Sequence, residues 1–336
     1  MFLASLLVSQ VLFTATPAMA DATPIIKVDG SSTVYPITEA MAEEFQKSKK
    51  GKVKVTVGIS GTGGGFKKFC RGETDIQDAS RPIQKSVDGK TPGELENCKK
   101  AGIRFYEIPI AFDATAVVVN KSNKFLDQVT VAELKKMWEP AAAGKIMKWS
   151  DVNPAWPKEA ITLYGAGADS GTFDYFTEAV VGKAKASRGD YTPSEDDNVL
   201  VKGISSDKNS LGYLPFSYYE ENKANLKIVA IVSPSKKAIL PSRETVENGT
   251  YTPLSRPLFL YVSEKAMKRP EVVEFIHFYI KKAPEFVPLV KYVPLPMEAY
   301  KMAKEHLDKN RLGTVFDGHS EVGMKIQDLL KKEKKM

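Results

Sequence analysis

Three short segments of this chain share one layout, and that repetition constrains the fold more than any other feature. Each starts as an apolar run, passes through a turn rich in Ser, Thr and Gly, and continues at helical spacing. The turns are Gly30-Ser31-Ser32-Thr33, Ser60-Gly61-Thr62-Gly63-Gly64 and Asp169-Ser170-Gly171-Thr172. The first follows Ile25-Ile26-Lys27-Val28 and leads into a predicted helix over Tyr35 to Lys47, with apolar residues at Ile37, Ala40, Met41 and Phe45. The second follows the alternating Val53, Val55, Val57 and Ile59, with a helix expected from Phe66. The third follows Ile161 to Tyr164 and precedes a helix over Phe173 to Val181. Further strands are expected at Ile103 to Ile110, Thr115 to Val119, Leu211 to Leu214, Ile228 to Val232 and Leu258 to Val262. Alternating strands and helices predict an α/β fold with mostly parallel sheets. From Pro270 onward the pattern is helical, with breaks expected at Pro284, Pro288, Pro294 and Pro296.

The chain has 336 residues, enough for two domains, and no low-complexity linker separates them. The chain should therefore cross between lobes more than once, near Ala111 to Thr115 and again near Pro253 to Pro257. The expected division is 21–112 with 255–336 in one lobe and 113–254 in the other. Residues 1–20 read as a signal peptide. Phe2 to Thr16 is mostly apolar or small and carries no charge, and Pro17-Ala18-Met19-Ala20 offers small residues for cleavage. No Lys or Arg precedes the apolar run, which departs from the usual leader. The mature chain is expected to be soluble and periplasmic, since no other segment has the roughly 18 apolar residues of a spanning helix. Formal charge is +7, but the lysines are spread along the chain, which reads as a solvated basic surface with no nucleic-acid partner. In an exported chain the two cysteines, Cys70 and Cys98, invite a disulfide, although two buried thiols fit the same positions. A bridge there would stabilise by roughly 3 kcal/mol. No His lies at ligand spacing from either, so neither a metal nor another cofactor is expected.

The chemistry is expected at the three turns. First-turn N–H groups of a helix lack intrahelical partners, and the helix dipole adds partial positive charge there. Glycine allows close backbone approach, and hydroxyls add donors that rotate. Three such ends converging would make an anion site of neutral dipoles. Hydrogen bonds to a charged group contribute ~1.5–3 kcal/mol each, so several reach the ~8–12 kcal/mol of micromolar to nanomolar affinity without a metal. The candidate contacts are Ser31, Ser32, Thr33, Ser60, Gly61, Thr62, Ser170, Gly171 and Thr172. A fourth element, Asp75 to Pro82, carries ionisable groups. Arg81 could grip oxygen atoms bidentately, with Arg188 a second candidate. A carboxylate at Asp78 or Asp169 would accept the proton that phosphate retains at neutral pH and would repel sulfate, which has none.

These segments resemble the periplasmic phosphate-binding proteins of ABC transporters over nearly the whole mature chain. The resemblance rests on Val28 to Pro36, Gly58 to Phe66, Asp75 to Pro82, Asp169 to Phe176 and Leu211-Gly212-Tyr213. It implies the type II periplasmic-binding-protein fold, with two mixed or parallel sheets flanked by helices and joined by a two-strand hinge. It also implies a monomer that captures inorganic phosphate between its lobes and docks on an ABC permease in the inner membrane. Ser32, Thr33, Ser60, Ser170, Gly171 and Thr172 match the family's phosphate donors. Better-known members carry an Arg just before the third loop, where this chain has Gly165, Ala166 and Gly167.

Three rivals differ in kind. A serine hydrolase would use Ser170 or Ser60, but Gly167-Ala168-Asp169-Ser170-Gly171 places the serine one position late for a nucleophile elbow. His277, His306 and His319 all lie in the C-terminal helical part, so no enzyme is expected. Gly61 to Lys68 lacks the Gly-Lys-Ser/Thr of a phosphate-binding P-loop. A binding protein of the same fold could instead take sulfate or a phosphonate.

Overall fold

The computed structural model describes residues 23–86, 90–232, 236–319 and 321–336. The proposed signal peptide lies outside them. In chain order the first half comprises β1 (Ile25–Gly30), α1 (Tyr35–Ser48), β2 (Lys54–Ile59), α2 (Gly61–Phe69), β3 (Ile76–Ala79), α3 (Glu94–Lys100), β4 (Phe105–Asn120), β5 (Gln128–Thr130), α4 (Val131–Trp138), α5 (Trp149–Val152) and β6 (Thr162–Ala166). The second half comprises α6 (Gly171–Val181), β7 (Thr192–Ser194), α7 (Asp197–Ser206), β8 (Ser210–Pro215), α8 (Phe216–Asn222), β9 (Leu226–Val232), β10 (Ala238–Ile239), α9 (Arg243–Glu247), β11 (Ser255–Ser263), α10 (Pro270–Leu289), β12 (Val293–Pro294), α11 (Met297–Asp308) and α12 (Ile326–Glu333).

The strands run β2-β1-β3-β11-β4-β8-β6-β7, and β4 belongs to two sheets. In the first sheet β1 pairs parallel with β2 and β3, and β11 runs antiparallel to β3 and β4. In the second, β4 pairs with β8 and β9, and β6 runs parallel to β7 and β8. The architecture is a two-sheet α/β fold with helices on the sheet faces.

The sequence pattern placed two strands at Ile103–Ile110 and Thr115–Val119. They form one strand of 16 buried residues, because Ala111-Phe112-Asp113-Ala114 contains no Gly or Pro and the buried Asp113 is paired across the strands with Arg256. Its first part pairs with β11 as far as Ala114↔Ser255, and pairing with β8 begins at Thr115↔Pro215. The passage between sheets is thus a change of hydrogen-bonding partner within a continuous strand. On the far side of the crossing, alternate residues serve two cores: Val117 and Val119 join the large cluster, and Ala116 and Val118 join a smaller one with Val201, Ile204 and Leu214.

Two other expectations change. Gly61 to Gly65 is the first part of α2, not a turn before it. Glycine is a poor helix former, but here close packing requires it: a Cβ at Gly65 would lie 2.6 Å from Gly30 Cα. Pro284 and Pro288 sit inside a continuous α10. The face formed by Phe275, Ile276, Tyr279, Ala283 and Val287 is fully buried, and this packing outweighs the backbone bonds the prolines remove.

Candidate functional site

Register brings the loops together. Gly30, the last residue of β1, pairs with Ile59 and with Asp78. The parallel strands therefore end level, and the loops opening α1 and α2 sit side by side with Ser80 at one edge of the first sheet. The third loop reaches the same place from the second sheet. Thr33 Oγ1 lies 3.0 Å from Thr172 Oγ1. Gly63 donates its N–H to the Asp169 carbonyl at 2.9 Å. Thr62 Oγ1 accepts from the Ser80 N–H at 3.1 Å and meets Ser80 Oγ at 3.1 Å. Two glycines make this approach feasible. A Cβ at Gly171 would lie 2.3 Å from Ser80 Oγ, and one at Gly61, whose φ is +72°, would lie 2.3 Å from the Asp169 carbonyl.

Each loop is held from behind. Ser170 caps α6 by accepting from the Thr172 N–H at 3.1 Å. Phe176 of α6 stacks on Tyr213 at 3.8 Å, with Trp138 edge-on to both. Ser60 donates its hydroxyl to Asp29, whose other oxygen pairs with Lys68 at 2.6 Å. Ser31 donates its N–H to the Asp78 carbonyl, and Ser32 lies against the buried Asp197. Burial pushes the Asp197 carboxyl up to about 7, although the hydrogen bond from Ser32 works in the opposite direction. Its Oδ2 has no hydrogen-bond partner among the described residues.

A residue that the sequence reading passed over sits at the centre. Arg256, on β11 at the crossing and 1% exposed, donates to the Gly171 carbonyl at 2.8 Å and to Thr172 Oγ1 at 2.7 Å. Its Nη2 lies 3.3 Å from Thr33 Oγ1 and 3.2 Å from Asp113 Oδ2. Asp113 is its cross-strand partner on β4. Burial raises Asp113 to about 6, with Arg256 holding it from rising further. The signal was present in the sequence: both expected crossings contain one charged residue among apolar or small neighbours.

The charged residues chosen from sequence go elsewhere. Asp78 is fully buried and accepts from Thr38 Oγ1 at 3.1 Å, and Thr38 in turn meets Tyr279 OH. Burial raises its pKa well above the usual carboxylate range. The reason is strand alternation: Gln77, the preceding residue, reaches the second loop and donates to the Thr62 carbonyl at 2.9 Å, so Asp78 points to the α1 side. Asp169 turns its carboxylate to Lys67 across the sheets at 2.8 Å. Arg81 is buried, but its fork is taken by Glu94 at 2.7 and 2.9 Å, by Asp174 at 2.6 Å and by the Pro82 carbonyl. Arg188 pairs with both Asp190 oxygens and with the carbonyls of Met137 and Ile146, which ties α4 to the following loop. It holds the Asp190 carboxylate well below its ordinary range. Two of the three positions where the resemblance implied an Arg are glycines, each packed against a neighbouring side chain. A Cβ at Gly167 would lie 2.1 Å from Glu195 Oε2, and one at Gly165 would lie 2.7 Å from the Tyr213 ring. Cys70 and Cys98 are bonded, which clips α3 to the end of α2.

Among the described residues no group of His, Cys, Asp or Glu could hold a metal ion, and no helix is long and apolar enough to cross a membrane.

Residues 15–283 match the profile of the PBP superfamily domain. Protein SphX of Synechococcus elongatus is 52% identical over 92% of this chain and 89% of its own length. The phosphate-binding protein PstS of Staphylococcus saprophyticus is 37% identical over 84% of each. A crystal structure of "a possible phosphate binding protein" from Planctomyces limnophilus shares 47% identity and a TM-score of 0.61, covering 86% of this chain and 99% of that one. Level strand ends, a strand shared by the two sheets and these likenesses agree: the chain belongs to the periplasmic-binding-protein superfamily, in the family of the phosphate-binding protein PstS.

Proposed function

We propose that this protein captures inorganic phosphate at the junction of its two sheets and delivers it, as an extracytoplasmic monomer, to an ABC permease. The observation that carries the reading is the meeting of two helix starts, those of α1 and α6, on one buried guanidinium, with the start of α2 held beside them through Asp169 and Ser80. Thr33 and Thr172 meet there, and Arg256 bonds or approaches both. An anion entering between the two threonines would collect hydroxyl donors, N–H groups of the Ser32-Thr33 loop and of the starts of α2 and α6, and the charge of Arg256. Ser32, Thr33, Gly61, Thr62, Ser80, Ser170, Gly171 and Thr172 form the cradle. The cation sits on the hinge strand, so it serves an anion held from both sides equally.

Selectivity is assigned to Asp197, the carboxyl against Ser32 with an unpartnered buried oxygen. Phosphate can share its remaining proton with that oxygen, whereas sulfate has no proton to share. The relatives' names supply the anion, PstS being a phosphate-binding protein. Isothermal titration of the purified mature protein with phosphate should give saturable one-to-one binding, unaffected by a large excess of sulfate. Absence of heat and of any thermal stabilisation with phosphate would reject the reading. Equal competition by sulfate would reject the role of Asp197.

A further inference from the structure

Arg81 is fully buried between elements of the two sheets and makes two kinds of ion pair. Glu94, on α3 of its own side, takes Nη1 and Nη2 in a bidentate pair at 2.9 and 2.7 Å. Asp174, on α6 of the other side, takes Nε at 2.6 Å. Arg81 and Asp174 are each 1% exposed, whereas Glu94 is 16% exposed. Asp174 has a fallback of its own: Lys185 Nζ, following α6, lies 3.9 Å from its Oδ1. If the two sheets separate, Arg81 keeps Glu94 and Asp174 keeps Lys185.

That arrangement is what a reversible contact needs. Breaking a buried ion pair is strongly unfavourable when a charge is left bare. Here neither partner is left bare, so the pair can be made and broken in each cycle. The disulfide Cys70–Cys98 secures the α3 end, since Cys70 Sγ also approaches the Glu94 carbonyl at 3.3 Å. No part of this contact needs an anion to complete it, because Arg81 has already committed four of its five donors.

We infer that Arg81 is a positioning residue, an inter-lobe latch that closes on Asp174 and releases onto Glu94, and that it sets how often the empty protein is closed. The inference deepens the capture reading, because a ligand bridging both lobes binds in proportion to the closed population. It is tested without ligand, by the distance between two dyes placed one on each lobe of the full mature chain.

Asp174→Asn removes the clasp and should shift the empty protein toward the open distance, with phosphate affinity falling about 5- to 50-fold. Glu94→Gln and Lys185→Ala each remove a fallback and should shift it the other way, toward the closed distance. Lys185 is 37% exposed, so its replacement keeps the fold and carries the test alone if Asp174→Asn does not fold. Opposite shifts support the latch. Unchanged distances, or a shift of all three variants in one direction, overturn it. Because the dye distance is read without phosphate, a parent protein that ignores phosphate would sink the capture reading and leave this result standing.

Discussion

Replacing Arg256 separates its structural duty from its binding duty. Arg256 and Asp113 form a buried pair 3.2 Å apart, each side chain 1% exposed. In Arg256→Met the Asp113 carboxylate loses its cation, and breaking a buried pair on one side costs about 3–5 kcal/mol of stability. The double variant Arg256→Met/Asp113→Asn removes the stranded charge, and most of that loss should return. Binding should not return with it. On the proposed reading each charge-assisted hydrogen bond from Arg256 to the anion is worth roughly 1.5–3 kcal/mol, so losing one should cost about 10- to 150-fold in affinity. The assay is paired: thermal unfolding without phosphate, then titration with phosphate, on parent, single and double variants. A double variant that is stable and binds phosphate as tightly as the parent would refute the reasoning, since a neutral hinge would then suffice.

Other consequences are simpler to check. Gly171→Ala puts a methyl 2.3 Å from Ser80 Oγ and 2.4 Å from Thr62 Oγ1, so titration should show at least about tenfold weaker phosphate binding, with overpacking of ~1–3 kcal/mol taken up by lobe separation. Cys70→Ser/Cys98→Ser should lose roughly 3 kcal/mol, read from denaturant unfolding under oxidising conditions, and reduction should bring the parent to the same value. Glu107 gives a pH signature. Burial raises it to about 8, against hydrogen bonds from Thr314 and Tyr261. The folded protein therefore holds a proton that the unfolded chain releases near its ordinary value of 4.5, so this contribution is full at low pH and is lost as pH rises from about 4.5 to about 8. Glu107→Gln should flatten the fall in melting temperature across that window; an unchanged slope would place the effect elsewhere.

The sequence was most legible where physics is local. The Ser/Thr/Gly turns at Gly30, Ser60 and Asp169 marked strand ends and helix starts, because caps and turns have short-range residue preferences. Asp113 and Arg256 could also have been noticed, since each is the one charged residue among apolar or small neighbours in its segment. The ionic partners were not readable. Whether Asp78 or Gln77 faces the second loop depends on strand alternation counted from a boundary, and one residue of shift reverses the answer. Arg81 carried the right chemistry for an anion, but Glu94 and Asp174, 13 and 93 residues away, had already claimed it. Arg256 escaped notice because its partners Asp113 and Thr33 are 143 and 223 residues distant. Pairings at such separations are set by the assembled sheets. The continuous α10 teaches the same lesson from the other side: Pro284 and Pro288 break a helix locally, yet a fully buried face holds it together.

The most direct test of the central claim is a crystal structure of the mature protein grown with phosphate. The account predicts one tetrahedral anion between Thr33 and Thr172, hydrogen-bonded by N–H groups of the Ser32-Thr33 loop and of the starts of α2 and α6 and paired with Arg256, while Arg81 remains on Glu94 and Asp174. An anion bound by Arg81 or Arg188, or a junction that stays empty in saturating phosphate, would contradict it.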